Sequence, residues 1–336
     1  MKFEYSFLKI FSASDLAARR LPLMEAESGN PGLVVWLTAC IHGDEVGGMV
    51  VVQEIFKRLR KNPLLKGSLK AFPLLNPFGF ESTSREIALS EEDLNRSFPG
   101  KKEGSLAEMI AHKIFTKIKE TKPSLILDLH NDRIDSIPHA LLDPESSAAN
   151  PKVYGEACEI SLKTGLLVVR EREEDSVEER MERSLSSVCL QQGVPAMTLE
   201  LGEPYVVNEK DIVDGVRAIW NVLAFFQMVN PINEPFNYSP PEEFKGRVLT
   251  YYHQHMSSTA GITRYLAKPG DVVRRGQPIA RVYNVFGKHQ ETIVAKYDGI
   301  VLDHTESSAA LPGVPMMAFG VETGGDRMME IGRAHV

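Results

Sequence analysis

Two histidines and a glutamate have the types and the spacing of a catalytic metal site. His42 and Glu45 stand three residues apart just after an apolar run, and this spacing lets an imidazole and a carboxylate converge on one point. His130 comes much later, at the end of another apolar run. Two histidines and one glutamate, with a fourth position open for water, form a catalytic zinc set. The three residues therefore predict one Zn²⁺ per chain, against the alternative that they only cap the ends of strands.

Two further carboxylates could assist a zinc site, one by orienting a ligand and the other by transferring protons. Asp128 lies two residues before His130, where it can accept a hydrogen bond from the ligand imidazole and fix its tautomer. Glu200 stands inside the apolar stretch AMTLELG (196–202). Burial of a charged side chain costs free energy, so its presence there indicates a specific partner or function. A zinc hydrolase needs a base for the attacking water and an acid for the leaving amine. We expect Glu200 to supply both, the alternative being a buried acid paired with an arginine.

A loop between the metal motifs carries two arginines. Arg96 lies in the segment DLNRSFPG (93–100), and an arginine can hold a carboxylate through two parallel hydrogen bonds. Arg85 lies in the same loop and can face a carbonyl oxygen that turns into an oxyanion. The alternative is that both arginines form ordinary salt bridges within the loop.

Predicted strands and helices alternate along the first part of the chain. Short apolar runs predict four strands, at Leu33–Ala39, Leu69–Leu75, Leu125–Leu129 and Ala196–Leu201. Helical spacing of apolar residues predicts three helices, at Glu45–Lys61, Ser105–Thr121 (with a capping box of Ser105 and Glu108) and Asp211–Val229. This alternation predicts an α/β layer fold with a largely parallel or mixed sheet. Ligands bind beyond the carboxyl ends of such strands, where the residues above stand.

Composition changes after the last predicted helix. Four prolines fall between Pro231 and Pro241, and we predict a catalytic domain at 1–235 followed by a linker at 236–246. Beyond it, short β-rich runs broken by PG, RRG and YDG turns predict a small all-β domain at 247–330. The last residues, IGRAHV at 331–336, are what one frame of a common DNA-sequencing adapter would encode, so we expect a non-native tail there.

Overall composition limits the class of protein. The chain has 336 residues, of which 43% are hydrophobic and 25% charged, as in an ordinary globular protein of about two domains. A formal net charge of −7 gives no basic surplus for nucleic acid or an anionic membrane. No apolar run approaches the roughly 18 residues of a membrane span, and three cysteines without a CxxC pair fit a reducing compartment. We expect a cytoplasmic protein without nucleic-acid or membrane partners, and homo-oligomerisation stays open.

Five motifs occur in a specific order over residues 33 to 202: HGDE at 42–45, NPFGFE at 76–81, DLNRSFPG at 93–100, DLHND at 128–132 and LELG at 199–202. Through these motifs the sequence resembles the succinylglutamate desuccinylase/aspartoacylase family, a branch of the zinc carboxypeptidase-like hydrolases. The resemblance implies a zinc-exopeptidase-like three-layer domain followed by a small barrel-sandwich-like β-domain. It also implies hydrolysis of an N-acyl amide on an amino acid, which releases a carboxylate and a free amine.

The resemblance further implies roles for individual residues. It implies zinc bound by His42, Glu45 and His130, with Glu200 as general base and acid. It implies that Asn95 and Arg96 hold a substrate carboxylate and that Arg85 polarises the scissile carbonyl.

Three other functions stay open. Some relatives trim peptide-like substrates, so the chain could be a zinc carboxypeptidase. Lys288 lies about where lipoyl and biotinyl carrier domains place their modified lysine, although Gly287 and His289 flank it instead of the usual residues. A carrier role therefore predicts a mass increment on Lys288. A metal-free binding protein that kept the fold is the third, and the intact metal set argues against it.

Overall fold

One large mixed sheet runs through the molecule. The computed structural model describes residues 1–174, 181–253, 256–305 and 307–322, and the predicted tail at 331–336 lies outside these ranges. The strands in them are β1 Lys2–Ser12, β2 Ala18–Glu27, β3 Val34–Ala39, β4 Ser68–Phe72, β5 Leu125–His130, β6 Asp135–Ser136, β7 His139–Leu142, β8 Leu167–Arg170, β9 Ala196–Glu200, β10 Val248–Tyr252, β11 Gly261–Tyr265, β12 Val272–Val273, β13 Pro278–Tyr283, β14 His289–Val294, β15 Gly299–His304, β16 Ala309–Ala310 and β17 Met317–Val321. The large sheet has the order β1-β2-β4-β3-β5-β9-β7-β8-β10-β17-β15-β12, with β6 beside β15.

Helices connect the strands in the first part of the chain. They are α1 Gly47–Leu59, α2 Pro77–Ser82, α3 Leu106–Glu120, α4 Pro151–Lys163, α5 Leu185–Gln191 and α6 Glu209–Phe225. None of the described helices is long and apolar enough to cross a membrane.

The centre of the large sheet is parallel and buried. β4, β3, β5 and β9 run parallel to one another, and every side chain of β4 and β5 is buried. Strands buried on both faces need a layer of helices on each side. The antiparallel pairs of β1 with β2 and of β7 with β9 make the sheet mixed. The predicted three-layer α/β fold with a largely parallel or mixed sheet is confirmed.

The predicted elements are found with shifted ends. The four predicted strands correspond to β3, β4, β5 and β9. α1 begins at Gly47 and not at Glu45, so Glu45 stays in the loop after β3. The predicted capping box of α3 forms, because Ser105 Oγ accepts from the Glu108 backbone at 3.3 Å and Glu108 Oε2 accepts from the Ser105 backbone at 3.2 Å. The N-terminal hairpin of β1 and β2, at one edge of the sheet, was not predicted.

Beyond the proline-rich segment, every regular element among the described residues is a strand, in agreement with the predicted all-β character. β14, β13, β11 and β16 form a second, four-stranded sheet. β10 pairs in parallel with β8, so β10, β17, β15 and β12 continue the large sheet. The C-terminal region is therefore joined to the first part by backbone pairing. The boundaries at 236–246 and 247 stay predictions.

The order of the central strands creates a crevice. β3 lies between β4 and β5 in the sheet. The connection from β3 therefore leads to its neighbour on one side, and the connection from β4 leads back past β3 to β5 on the other side. Right-handed crossovers in opposite directions put α1 and α3 on opposite faces of the sheet. A crevice opens at such a point, beyond the carboxyl ends of the strands. His42 follows β3 and His130 ends β5, so both stand at this crevice.

Candidate active site

His42, Glu45 and His130 converge at the crevice. His42 Nδ1 lies 2.6 Å from Glu45 Oε1, and His130 Nδ1 lies 2.8 Å from Glu45 Oε2. One possible ligand atom of each residue lies within 4.8 Å of the other two, and all three residues are buried. Two imidazole nitrogens and a carboxylate oxygen form the donor set of a catalytic zinc site. The fold thus brings together the three residues that the sequence selected.

A carboxylate stands behind each imidazole. His130 Nε2 lies 3.1 Å from Asp128 Oδ2, and Asp128 Oδ1 accepts a hydrogen bond of 2.6 Å from the Thr38 hydroxyl. His42 Nε2 lies 3.4 Å from Asp93 Oδ1. A carboxylate on the outer nitrogen orients an imidazole so that its inner nitrogen faces a metal. Asp128 therefore lies where its predicted orienting role requires, and Asp93 has the corresponding place behind His42.

The charges of these residues suit a divalent cation. Burial opposes ionisation of Glu45, but the charges of His42 and His130 outweigh it and hold the pKa of Glu45 well below its usual range. Burial also opposes the charged form of His130, yet Glu45 and Asp128 raise the pKa of His130 well above its usual value. Three carboxylates, those of Glu45, Asp93 and Asp128, thus surround the two imidazoles. Zn²⁺ fits a donor set of two imidazoles and a carboxylate.

Glu200 stands beside His130 at the end of β9. The parallel pairing of β5 and β9 puts the Cα atoms of His130 and Glu200 opposite each other, so the two side chains lie on the same face of the sheet. Burial raises the pKa of Glu200 well above its usual value; the charge of His130 opposes this rise, and those of Asp132 and Glu45 add to it. The nearby charge of Arg85 also lowers this pKa, and Glu200 Oε2 has no hydrogen-bond partner among the described residues. A raised pKa lets a carboxyl group hold a proton more readily, as a group that acts as both base and acid must do.

Arg85 reaches the metal ligands from the adjoining loop. Its Nη1 lies 3.2 Å from His42 Nδ1 and 3.6 Å from Glu45 Oε1. Its Nη2 donates a hydrogen bond of 3.0 Å to Asp93 Oδ2. The loop salt bridge that the sequence left open is therefore formed, and it holds the guanidinium against the site. A cation at this position can stabilise negative charge on a carbonyl oxygen.

Asn95 and Arg96 line the cavity from a short 3₁₀ helix, Leu94–Arg96. Asp93 caps this helix by accepting a hydrogen bond of 2.7 Å from the Asn95 backbone. Asn95 Oδ1 accepts a hydrogen bond of 2.9 Å from the backbone of Leu185 at the start of α5. The Asn95 side-chain oxygen thus fixes the loop, and Arg96 Nη1 donates a hydrogen bond of 3.2 Å to the Asn95 backbone carbonyl. The Asn95 amide NH₂ and the Arg96 guanidinium bring hydrogen-bond donors to the cavity wall.

Asn131 ties three segments of the site together. Its backbone nitrogen donates to Glu45 Oε2 at 3.2 Å, and its Oδ1 accepts a hydrogen bond of 3.0 Å from the Gly47 backbone. Its Nδ2 donates to the Leu201 carbonyl at 2.8 Å. Asn131 therefore fixes the start of α1 and the end of β9 relative to β5.

The site opens into a cavity of about 430 Å³, a volume suited to a small molecule. Part of its wall comes from the loops that follow the central strands, and part from the strands β5, β7 and β9. Tyr251 of β10, together with His253 and Pro315, adds a wall from the C-terminal β region. The cavity is therefore completed by residues that lie far apart in the chain.

Sequence reasoning missed several residues of the site, among them Asp93, Asn131, Asp132 and His139. Asp93 begins the DLNRSFPG motif, and its place before a short helical turn was an available signal. Asn131 directly follows the predicted ligand His130, which was a signal as well. His139 lines the cavity from the start of β7, and no local pattern in the sequence marks it.

Comparisons with known proteins show what the chain is similar to. Residues 31–226 match the model of the succinylglutamate desuccinylase/aspartoacylase catalytic domain. The chain is 27% identical to N-alpha-acetyl-L-2,4-diaminobutyric acid deacetylase of Halomonas elongata, over 298 residues that cover 84% of this chain and 80% of that protein.

Solved structures share the fold. A product-bound ectoine utilization protein of Ruegeria pomeroyi matches with a TM-score of 0.78 at 21% identity, over 95% of each chain. An aspartoacylase family protein of Mesorhizobium loti matches with a TM-score of 0.76 at 19% identity, over 96% of each chain. A metallo-carboxypeptidase of Burkholderia cenocepacia matches with a TM-score of 0.51 at 17% identity, over 66% of this chain and 64% of that one. The fold class is therefore that of aspartoacylase-type proteins, with a more distant likeness to a metallo-carboxypeptidase.

Proposed function

The chain belongs to the succinylglutamate desuccinylase/aspartoacylase family, and from this premise we propose that it is a zinc-dependent deacylase that hydrolyses the amide bond of an N-acyl amino acid. The observation that carries the proposal is the convergence of His42, Glu45 and His130 beside Glu200, in a cavity of small-molecule size. The family acts on N-acyl amino acids, and the further steps below concern this chain's own residues.

His42, Glu45 and His130 hold the metal, and Asp128 keeps the His130 ring in place. When bound, Zn²⁺ lowers the pKa of a water molecule and polarises a carbonyl group. Glu200 takes a proton from the attacking water and delivers it to the nitrogen of the leaving amine. The products are a carboxylate and a free amino acid.

The remaining charged residues orient the substrate. Arg85 donates to the carbonyl oxygen as negative charge develops on it, because its guanidinium lies within 3.6 Å of the metal ligands. Arg96 and the Asn95 amide bind the free carboxylate of the amino acid. This arrangement suits a substrate with an acyl group at one end and a carboxylate at the other.

N-acetyl amino acids are the first substrates to test. The Halomonas elongata relative is named for an N-alpha-acetylated diamino acid, so Nα-acetyl-2,4-diaminobutyrate belongs in the first panel. Short peptides belong in the same panel, because a zinc carboxypeptidase is the alternative. The cavity of about 430 Å³ favours the smaller substrates.

The decisive experiment measures metal content and hydrolysis together. Wild type, His130→Ala and the control His289→Ala are purified, and zinc per chain is measured by elemental mass spectrometry. We expect about one zinc per chain in the wild type and the control, and none in His130→Ala. His289 is a suitable control because it is exposed in β14. A wild type that neither contains zinc nor takes it up would overturn the proposal. The intact mass of the same sample tests the carrier role, which requires an increment on Lys288.

Glu200→Gln separates metal binding from catalysis. The amide keeps the shape of the side chain but cannot carry the proton, so we expect normal zinc content and a loss of kcat of at least about 100-fold. Near-native kcat in this variant would show that Glu200 is neither the base nor the acid.

A further inference from the structure

One buried histidine of the cavity has no part in the mechanism above. His139 begins β7, and its side chain is 0% exposed. The antiparallel pairing of β7 and β9 puts its Cα opposite that of Glu200. Both side chains therefore project from the same face of the sheet, and both line the cavity.

The hydrogen bonding of His139 determines its tautomer. Its Nδ1 lies 2.9 Å from the Ile137 backbone carbonyl. A carbonyl oxygen only accepts hydrogen bonds, so Nδ1 carries the hydrogen. Burial lowers the pKa of His139 and keeps the ring neutral. Nε2 is therefore a hydrogen-bond acceptor, and it has no partner in the part of the chain that the structure describes.

Two other acceptor atoms share this environment. Asp132 Oδ2 and Glu200 Oε2 are buried, and neither has a hydrogen-bond partner among the described residues. Asp132, His139 and Glu200 all line the same cavity. The cavity wall thus contains three hydrogen-bond acceptors without a partner among the described residues. A ligand group with several hydrogen-bond donors would satisfy them.

We propose that His139 Nε2, Asp132 Oδ2 and Glu200 Oε2 form a binding site for the scissile nitrogen as it becomes an ammonium group. The proposal rests on the proposed deacylase function. In the amide substrate this nitrogen carries one hydrogen. During hydrolysis the C–N bond breaks, the water oxygen stays on the acyl carbon, and both water protons end on nitrogen. The ammonium product carries three N–H donors for three acceptors.

The increase in donors gives the site a catalytic effect. An acceptor that meets its donor only after protonation stabilises the late stages of the reaction more than the bound substrate. Glu200 delivers the proton, while His139 and Asp132 accept from the hydrogens that the nitrogen then carries. His139 is thus a residue that contacts the leaving group, and its loss should matter only when the leaving atom is nitrogen.

The experiment compares an amide with an ester. The substrates are the N-acetyl amino acid with the fastest turnover and the O-acetyl 2-hydroxy acid with the same side chain, which has no scissile N–H. His139→Asn can keep the donor to the Ile137 carbonyl but lacks an atom at the Nε2 position. His139→Gln can place an amide oxygen there. His304→Asn is the control, since His304 is also a buried histidine but lies outside the cavity wall.

We expect His139→Asn to lower kcat/KM for the amide by about 10- to 100-fold, the range of one hydrogen bond to a charged group, with little change for the ester. His139→Gln should recover part of the loss, and His304→Asn should affect both substrates equally. An equal loss on amide and ester in His139→Asn would overturn the inference and leave the deacylase function standing. A wild type that hydrolyses no member of the panel would overturn both.

Product binding gives a readout that does not depend on turnover. The amino acid product carries the ammonium group, and its 2-hydroxy acid analogue does not. We expect calorimetry on the zinc-loaded wild type to show tighter binding of the amino acid by about 10-fold or more, and this preference to shrink in His139→Asn. Equal affinities of the wild type for the two ligands would contradict the proposed ammonium site.

Discussion

At the residue scale, the candidate metal site depends on side chains that do not face the metal position. Asp128 holds His130 by its outer nitrogen and is itself held by the Thr38 hydroxyl. Asp93 stands behind His42 and also binds Arg85. The orientation of each imidazole is therefore fixed before a metal arrives, which lowers the entropy cost of binding.

Asp128→Asn tests this support. An amide in place of the carboxylate still fills the space but binds the imidazole N–H less strongly, so we expect zinc affinity to fall about 10- to 100-fold. Competition with a chromophoric chelator measures this change. Asp15→Asn, an exposed aspartate in the turn between β1 and β2, is the control and should bind zinc as the wild type does. Unchanged affinity in Asp128→Asn would show that Asp128 does not support the ligand.

At the element scale, the site depends on how closely α1 approaches the ends of β3 and β5. A Cβ atom added at Gly48 would lie 2.8 Å from Leu129 Cβ and 3.1 Å from Ala39 Cβ. Glycine therefore allows the first turn of α1 to pack directly on the strands that carry the ligands. The loop with His42 and Glu45 is placed by this contact.

Gly48→Ala should move His42 and Glu45, in the loop before α1, away from His130 at the end of β5. The added methyl group must push α1 away from β5, so we expect a loss of about 1–3 kcal/mol in the free energy of unfolding and weaker zinc binding. Gly155→Ala in α4 is the matched control, because a Cβ there meets nothing within 4 Å. Its higher helix propensity should stabilise the protein by up to about 1 kcal/mol. Urea denaturation and zinc titration of both variants check the prediction, and equal behaviour of the two would contradict it.

At the scale of the whole molecule, the proline-rich segment is bound to the catalytic part. Asp214 of α6 is fully buried, and its carboxylate accepts hydrogen bonds from the Asn237 backbone at 2.7 Å and the Tyr238 backbone at 2.9 Å. The Asn237 side chain adds a third at 3.2 Å. β10, which carries Tyr251, and the later segment with Pro315 complete the cavity wall, and both follow this attachment in the chain.

Asp214→Ala should destabilise the fold. The substitution leaves backbone N–H groups without their acceptor, so we expect a loss of about 2–4 kcal/mol in the free energy of unfolding, measured by urea denaturation. Glu159→Ala, an exposed carboxylate of α4, should change it by less than about 0.5 kcal/mol. If both variants unfold at the wild-type urea concentration, the attachment contributes nothing to stability.

The sequence by itself determined the local features of the fold and the centre of the site. Apolar periodicity predicted the strands β3, β4, β5 and β9 and the capping box of α3, because these depend on residues close together in the chain. The ligand set could also be predicted, since His42, Glu45 and His130 stand at the ends of predicted strands. In a parallel sheet such ends meet at one edge, so their meeting follows from fold class alone.

Which distant segments meet could be read only from the folded chain. The pairing of β10 with β8 brings Tyr251 to the cavity, and the pairing of β7 with β9 puts His139 beside Glu200. The place of Asp93 behind His42 depends on how a loop folds over the crevice. Such contacts join residues far apart in the chain. Their free energy comes from burial and strand pairing, which short-range sequence patterns do not predict. The sequence thus predicted which three residues converge in the structure, while the contacts of Asp93 and the cavity walls around them depend on the folded chain.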